Sequence, residues 1–206
     1  PRWDKMKVGV MASGRGSNFQ AIIDAGIRGE TPDVEIVHLI VNKIDAYAIE
    51  RAKKYGIKFD VIDSNAMSRD KFDQKVIDVF LKKNIEVVVL AGFMRILTPK
   101  FIKTYRNKIL NIHPSLLPAF PGAHAHRDTI NYGAKISGCT AHLVDDGIDS
   151  GPIIMQVSIE VENGETEDSL SAKILVHEHK ILPKALQLLC SDKLIMVGRK
   201  VEIKTD

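Results

Sequence analysis

The segment Met6–Arg28, MKVGVMASGRGSNFQAIIDAGIR, decides the fold. Its first part, Met6–Ala12, is a short apolar run of the kind that forms a buried strand. From Ser17 onward the apolar residues recur at the spacing of one helix face. A tight turn containing Gly14 and Gly16 joins the two parts. The segment therefore predicts a strand, a turn and a helix.

The alternation of strand and helix patterns continues as far as residue 91. Predicted strands lie at Val34–Val41, Lys58–Ile62 and Ile85–Ala91, and predicted helices lie at Asp45–Tyr55 and Ser68–Lys83. Such alternation predicts an α/β fold with a doubly wound, mostly parallel sheet and helices on both faces.

The second half of the chain is more broken. Ser137–Val144 and Ile153–Val161 alternate like strands, and Glu167–Leu189 has the pattern of a long helix. Pro183 lies inside that helix and predicts a kink or a break. We see no repeat and no linker, so we predict a single domain over residues 1–206.

Ligands of a doubly wound sheet bind beyond the carboxyl ends of its strands. Three segments follow predicted strands, namely Met11–Asn18, Gly92–Leu97 and Asn111–Pro118. We therefore expect them to meet in one crevice.

Composition excludes several classes of protein. The chain has 206 residues, of which 45% are hydrophobic and 27% charged, and its net charge is +3. These values are typical of a globular protein. Because charges of both signs are interspersed and no apolar run is long enough to span a bilayer, we expect neither a nucleic-acid nor a membrane partner.

The cysteines and the N-terminal residues indicate a compartment. Cys139 and Cys190 do not form a disulfide framework, which favours a reducing environment. The first residues lack the apolar region of a secretory signal. We therefore expect a cytoplasmic protein.

The glycine-rich turn predicts a phosphate site, because unpaired amides at a helix N-terminus attract anions. A dinucleotide fingerprint would need a third glycine where Phe19 stands, and a P-loop would need lysine where Ser17 stands. The turn therefore favours a monophosphate. An ordinary strand-to-helix connection is the alternative.

Asn111 and His113 lie two residues apart on a predicted strand, so their side chains point to the same side. Pro114 biases His113 towards an extended conformation and helps to end the strand. An amide can donate to a developing oxyanion, and an imidazole can act as acid or base near neutral pH. The pair therefore favours acyl transfer over the alternative, a structural histidine.

Acidic residues suggest two further site positions. One carboxylate of the loop with Asp145, Asp146 and Asp149 could lie near His113 and favour the imidazolium. A metal site would need more oxygen ligands than this loop offers, so we expect no metal. Glu178 falls on the apolar stripe of the last helix, where it either faces the substrate or forms a structural salt bridge.

Two other chemistries are weak. His124 and His126 have HxH spacing, but no cysteine pattern supports zinc. Cys139 needs an activating base to be a nucleophile, and strand alternation places His142 on the opposite face.

Four segments carry a family resemblance: SGRGSN (13–18), AGFMRILTP (91–99), NIHPSLLPAFPG (111–122) and HLVDDGIDSGPIIMQ (142–156). In this order they resemble folate-dependent formyltransferases with a Rossmann-like fold, and the first narrows the likeness to the glycinamide ribonucleotide branch. The likeness extends from Met6 to about Leu189. One departure is Arg15, where the common variant of the first motif has Asn.

The resemblance implies a formyl transfer from 10-formyltetrahydrofolate, the cosubstrate, to the amine of glycinamide ribonucleotide in purine biosynthesis. It implies a nucleotide-binding half, about residues 6–110, and a catalytic and folate-binding half, about residues 85–190. Asn111, His113 and Asp149 match the catalytic residues of the family. The ribonucleotide positions are Gly16, Ser17, Asn18 and Glu178. The folate positions are Arg69, Met94, Arg95, Ile96, Leu97, Asn111, Asp145, Asp146, Gly147, Ile148 and Asp149.

Three alternatives stay open. A 10-formyltetrahydrofolate hydrolase shares the catalytic segment, but it carries an extra domain before the first strand, for which we expect no room. Methionyl-tRNA formyltransferase adds a C-terminal barrel. A non-catalytic nucleotide-binding protein would not need Asn111, His113 and Asp149 together. The resemblance also implies homodimers in some members, although the sequence carries no interface signature.

Overall fold

A seven-stranded sheet organises the computed structural model, which describes residues 4–205. Its strands are β1 (Met6–Ala12), β2 (Val34–Val41), β3 (Lys58–Val61), β4 (Val87–Leu90), β5 (Ile109–His113), β6 (Ile136–Leu143) and β7 (Ile153–Glu160). They lie in the order β3-β2-β1-β4-β5-β6-β7. β1 to β5 run parallel, whereas the β5–β6 and β6–β7 pairs are antiparallel. The predicted α/β class with a mostly parallel sheet is confirmed.

Helices connect the strands. They are α1 (Ser17–Ile27), α2 (Ala48–Lys54), α3 (Arg69–Lys82), α4 (Pro99–Thr104), α5 (Ala125–Tyr132) and α6 (Glu167–Cys190), with a 3₁₀ turn at Ser64–Ala66. A hairpin of β8 (Leu194–Val197) and β9 (Lys200–Ile203) follows α6. No helix within residues 4–205 combines the length and the apolar character needed to cross a membrane.

Both faces of the sheet are buried, as continuous apolar strands require. Along β1, Val8 and Val10 join one core with side chains of α1 and α6, whereas Met11 joins a second core with side chains of α3 and α4. Gly9 allows α3 to approach closely, because a Cβ there would lie 2.8 Å from the Phe80 ring.

The order of strands reverses between β1 and β4, which pair side by side although β2 and β3 come between them in sequence. In open α/β sheets the ligand crevice forms at this reversal, beyond the carboxyl ends of the two strands. The turn after β1 and the loop after β4 both start there.

The long last helix continues through Pro183, so the expected break does not occur. A proline inside a helix removes one hydrogen bond and costs about 3 kcal/mol. Pro183 and its neighbour Leu182 are buried, and α6 packs on α1 and on β5, β6 and β7, which offsets that cost. Thr166 and Ser169 cap its first turn reciprocally.

The observed bounds depart most from the sequence-based ones at the start of one helix and the start of one strand. The predicted helix Asp45–Tyr55 begins only at Ala48, because Ala46 N bonds Lys43 O in a preceding turn. The predicted strand Ile85–Ala91 is shorter, since Ile85 N closes the end of α3 by donating to Phe80 O.

Candidate active site

The glycine-rich turn joins β1 to α1 at the carboxyl end of the sheet. Gly16 is the N-cap residue of α1 and adopts a left-handed conformation with φ of 70°. Within the described chain, no side chain caps this helix, so its first amides have no side-chain acceptor. Such amides bind anions. The amides at Gly16, Ser17 and Asn18 are thus of the kind that attracts an anion.

Two glycines of the turn differ in their surroundings. A Cβ on Gly16 would lie 2.8 Å from the Cβ of Ala48 in α2, whereas a Cβ on Gly14 would meet nothing within 4 Å. Gly16 also has the positive φ that side chains disfavour. The turn thus packs directly on α2 and requires glycine at position 16.

Ser13 ties the turn to the loop after β4. Its amide donates to Gly92 O at 3.2 Å, and its hydroxyl accepts from Met94 N at 2.9 Å. Ser13 itself is buried. The segments that follow β1 and β4 therefore meet in one crevice, as the sequence predicted.

The loop at residues 92–97 presents apolar side chains to solvent. Met94 is 71% exposed and Ile96 is 57% exposed, whereas Leu97 is buried. The guanidinium of Arg95 lies over the Phe72 ring, 5.0 Å from its centroid. Exposed apolar groups beside a fixed cation suit an aromatic ligand.

A buried carboxylate holds the end of this loop. Asp73 Oδ2 accepts from Thr98 N at 2.7 Å, and burial raises the pKa of Asp73. Thr98 in turn caps α4 through its hydroxyl. Arg69 is exposed at the first position of α3, the same helix that carries Asp73.

Asn111 and His113 lie near the carboxyl end of β5 and project to the same side of the sheet. Ile112, between them, packs into the core of Val8 and α6. Asn111 is partly exposed, and its side-chain amide makes no hydrogen bond within residues 4–205. That amide is therefore available to a ligand.

Both ring nitrogens of His113 face acceptors. Nε2 lies 2.9 Å from Phe120 O, and Nδ1 lies 3.6 Å from Asp149 Oδ2. A carbonyl can only accept, so Nε2 carries a proton in this contact. Only the imidazolium has a proton for the carboxylate as well. The 3.6 Å separation is longer than a hydrogen bond, and the two groups form an ion pair only when the imidazole is protonated.

Asp149 reaches His113 because its loop folds back. Val144 N donates to Ile109 O, so the loop after β6 starts beside the first residue of β5. Asp149 adopts a left-handed conformation with φ of 49° and accepts from Gly122 N at 2.8 Å. One carboxylate therefore contacts both the imidazole and the loop that precedes α5.

A saturated hydroxyl fixes the start of that loop. Thr140 Oγ1 donates to Ser115 O at 2.7 Å and accepts from Leu117 N at 3.1 Å and from Gln156 Nε2 at 3.0 Å. These are all the hydrogen bonds a hydroxyl can form. The residue types at 140 and 156 gave no signal of this role in the sequence.

The other acidic residues of the loop have different surroundings. Asp145 Oδ1 accepts from Gly147 N at 3.0 Å and from Ser150 Oγ at 2.7 Å, which shapes the turn. Asp146 lies 3.1 Å from Arg106 in an exposed ion pair. Ile148 is 61% exposed. Of the three acids, Asp149 is the one that the structure brings to His113.

Glu178 is buried against the glycine-rich turn. It is 8% exposed, and its Oε1 accepts from Asn18 Nδ2 at 3.2 Å. Burial raises the pKa of Glu178, while the bond from Asn18 opposes that shift. Its partner in the described chain is an amide and not a cation, so the structural salt bridge that the sequence left open is not formed.

The remaining histidines and cysteines do not converge. Within residues 4–205, no group of three or more His, Cys, Asp or Glu side chains could hold a metal ion. Burial raises the pKa of the Cys139 thiol to about 12, so a thiolate nucleophile is disfavoured. Burial lowers the pKa of His142, whose Nδ1 donates to Leu143 O at 3.0 Å.

Known sequences resemble the chain over most of its length. A sequence model described as formyl transferase matches residues 6–186. The phosphoribosylglycinamide formyltransferase of Escherichia coli K12 is 40% identical over 196 residues, which cover 93% of this chain and 90% of that protein. The trifunctional purine biosynthetic protein adenosine-3 of Gallus gallus is 42% identical over 97% of this chain. This chain spans only 14–20% of such trifunctional relatives.

Solved structures show the same architecture. Glycinamide ribonucleotide transformylase 1 from Symbiobacterium toebii superposes with a TM-score of 0.95 at 39% identity, covering 98% of this chain and 95% of that one. A formyltetrahydrofolate deformylase from Pseudomonas syringae pv. tomato superposes with a TM-score of 0.91 at 24% identity, covering 98% of this chain and 66% of that one. The second likeness shows the fold alone.

We predict that Gly16→Ala destabilises the protein and Gly14→Ala does not. Alanine at position 16 meets Ala48 and occupies a left-handed conformation, which alone costs about 1–2 kcal/mol. Alanine at position 14 has open space, so we expect a change within about 0.5 kcal/mol. Urea unfolding of both variants measures the difference. Equal stabilities would contradict the close packing of the turn on α2.

We predict that Glu178→Gln stabilises the protein in a pH-dependent way. The folded-state pKa of Glu178 lies above its ordinary value of 4.5, so ionisation of the carboxyl disfavours the folded state. Below that value the carboxyl is protonated in both states, and the penalty grows as the pH rises from the ordinary pKa to the raised one, above which it stays constant. Glutamine removes the penalty and can still accept from Asn18. Thermal unfolding at pH 5 and pH 8 should therefore show a larger gain at pH 8.

The exposed Glu202 on β9 offers the control for that comparison. Glu202→Gln removes the same charge without removing a buried carboxyl, so its melting temperature should stay near the wild-type value at both pH values. A gain for Glu178→Gln that is independent of pH would contradict the raised pKa.

Proposed function

This chain belongs to the formyl transferase family, and we propose that it transfers the formyl group of 10-formyltetrahydrofolate to the amine of 5'-phosphoribosylglycinamide. The products are formylglycinamide ribonucleotide and tetrahydrofolate, in a step of purine biosynthesis. One arrangement carries the proposal: Asn111, the His113–Asp149 pair and an uncapped helix N-terminus all lie at the carboxyl ends of parallel strands, along one edge of the sheet. The whole-chain likeness to enzymes of that name supports it.

The ribonucleotide side of the crevice is the turn after β1. Amides of Gly16, Ser17 and Asn18 would bind the phosphate, and the helix dipole of α1 favours its negative charge. Arg15 adds a positive charge to the same turn. Glu178, held by Asn18, would accept from the amine or the hydroxyls of the ribonucleotide.

The folate side is the loop at residues 92–97 with the loop after β6. The exposed Met94, Ile96 and Ile148 offer apolar surface, and Arg95 offers a cation for an anionic tail. Loop backbone groups can pair with the polar edge of a pterin. These residues fit the formyl donor, which supplies the one-carbon group when bound. We propose Arg69, Leu97, Asp145, Asp146 and Gly147 as further folate contacts.

The chemistry follows from the groups at the end of β5. Asn111 donates a hydrogen bond to the formyl oxygen, which becomes negatively charged as the substrate amine attacks the formyl carbon. His113 would add a second hydrogen bond once its Nε2–H turns from Phe120 O to that oxygen. Asp149 stabilises the imidazolium. His113 then assists the transfer of a proton from the amine to the departing nitrogen, so that the carbon–nitrogen bond to the donor breaks and neutral products form.

The alternative is hydrolysis of the formyl donor, with water in place of the amine. The deformylase likeness supports the common fold but not that reaction. Water has no phosphate and no hydroxyl groups to place. The uncapped turn and the buried Glu178 at its side therefore favour the ribonucleotide as the acceptor.

The organisation and the location of the protein complete the proposal. We propose one domain, with a nucleotide-binding half at about residues 6–110 and a catalytic and folate-binding half at about residues 85–190. A cytoplasmic location fits the two buried cysteines, Cys139 and Cys190, which are not disulfide-bonded.

We predict that the protein releases tetrahydrofolate from 10-formyltetrahydrofolate only when the ribonucleotide is present. The measurement follows the deformylated folate spectroscopically, with and without 5'-phosphoribosylglycinamide. Release in the absence of the ribonucleotide would support the hydrolase instead. No release in either mixture, from folded protein, would contradict both reactions.

We predict that Asp149→Asn lowers kcat about 100-fold or more while both substrates still bind. The asparagine oxygen can still accept from Gly122 N, so the loop stays in place, but the charge that stabilises the imidazolium is lost. His113→Ala should cause a loss of similar size. Asp78→Asn, on the exposed side of α3, is the charge-matched control and should keep full turnover. Unchanged turnover in Asp149→Asn would refute the role of that carboxylate.

A further inference from the structure

Helix α2 donates hydrogen bonds to two consecutive backbone carbonyls of the turn after β1, those of Gly14 and Arg15. Ala48 N donates to Gly14 O at 3.1 Å, and Arg51 Nε donates to Arg15 O at 2.8 Å. One donor is a backbone amide of α2, and the other is a charged side chain from the next turn of that helix. Both carbonyls of the turn therefore point at α2.

This orientation decides where the amides of the turn point. In a planar trans peptide, the carbonyl and the amide that follows it point in opposite directions. Because the Gly14 and Arg15 carbonyls face α2, the amides of Arg15 and Gly16 face away from it. Successive amides that share one direction form an anion-binding concavity. Helix α2 thus aims donors of the turn away from itself.

Arg51 is held in place from three directions. Its Nη1 donates to Gln20 Oε1 at 3.1 Å, and its guanidinium lies over the Tyr47 ring, 4.9 Å from the centroid. Gln20 is itself oriented, because its Nε2 donates to Asp24 Oδ1 at 2.9 Å and to Tyr55 OH at 3.2 Å. A planar guanidinium suits two acceptors at a fixed angle better than an ammonium does.

We propose that Arg51 is a positioning residue for the substrate phosphate. It holds the Arg15–Gly16 peptide so that the Gly16 amide is a preformed phosphate donor, and it acts through the backbone without contact to the reacting atoms. Gly16 also packs closely on Ala48, which restricts the alternative orientations of the turn. This inference rests on the proposed function, since it assigns a role within the ribonucleotide site.

Steady-state kinetics of Arg51→Gln test the role. We expect the KM for the ribonucleotide to rise roughly tenfold, the size expected for the loss of one charge-assisted hydrogen bond. The KM for the formyl donor and kcat should change little. Lys54→Gln is the control, because it removes a charge from the same helix at a side chain whose ammonium lies over the Tyr55 ring, 5.4 Å from its centroid, and not on the turn. An equal rise in Lys54→Gln would overturn the proposal in favour of a general charge effect.

Conservative replacement separates positioning from folding. Arg51→Lys keeps the charge and a donor for one acceptor, so we expect a smaller rise in the ribonucleotide KM than in Arg51→Gln. If Arg51→Gln fails to fold, Arg51→Lys carries the test by itself. A folded Arg51→Gln or Arg51→Lys with the wild-type ribonucleotide KM would overturn the inference.

Inorganic phosphate provides a readout that does not depend on turnover. In a titration followed by amide chemical shifts, phosphate should move the Gly16, Ser17 and Asn18 signals of the wild type, with a roughly tenfold weaker Kd in Arg51→Gln. If phosphate binds in this way but the protein transfers no formyl group, the proposed reaction is wrong and the role of Arg51 in phosphate binding still holds. Equal phosphate affinity in the two proteins, or no response of these amides in the wild type, would overturn the role.

Discussion

The parallel pairing of β1 with β4 is the contact on which the crevice depends. It places the turn after one strand beside the loop after the other, and Ser13 joins them with one hydrogen bond given and one accepted. The ribonucleotide and folate sides are thus parts of one backbone surface. Asn111 and His113 lie on β5, the next strand along. The groups proposed for substrate, donor and catalysis therefore lie along one edge of the sheet.

The two acids proposed for the site, Asp149 and Glu178, have different partners. Asp149 is balanced by the His113 imidazole and the Gly122 amide, so its charge has partners on two sides. Glu178 has only the weaker support of Asn18 in the described chain, and burial raises its pKa. An acid that is poorly compensated without ligand is a natural partner for a group that the ligand brings. The ionised carboxyl of Glu178 therefore makes the folded protein less stable than an uncharged residue at this position would.

The sequence predicted the first half of the fold well, because β1 and β2 are apolar runs whose burial needs no distant information. It missed α4 and α5, which have six and eight residues and are too short for a clear helical period. It also predicted a kink or a break at Pro183, where the helix continues because its packing on the sheet and on α1 overrides the local cost. For the site, strand alternation brought Asn111 and His113 together. The acidic loop was expected to bring one carboxylate near His113, but nothing local singled out Asp149 or indicated that Phe120 and Gly122 supply backbone partners. Only the resemblance pointed to that carboxylate.

The bond between Asn18 and Glu178 joins residues 160 positions apart, and Gln187 of the same helix bonds Asp33 across 154. A nascent chain that emerges from the ribosome at about 5–20 residues per second exposes the phosphate turn many seconds before its buried neighbour is made. Contacts of such long separation form late, since the loop they close is entropically costly. During synthesis the apolar face of α1 therefore stays uncovered until α6 has been made. The proposed ribonucleotide site becomes complete only when α6 docks, so it depends on an element that is synthesised long after the turn itself.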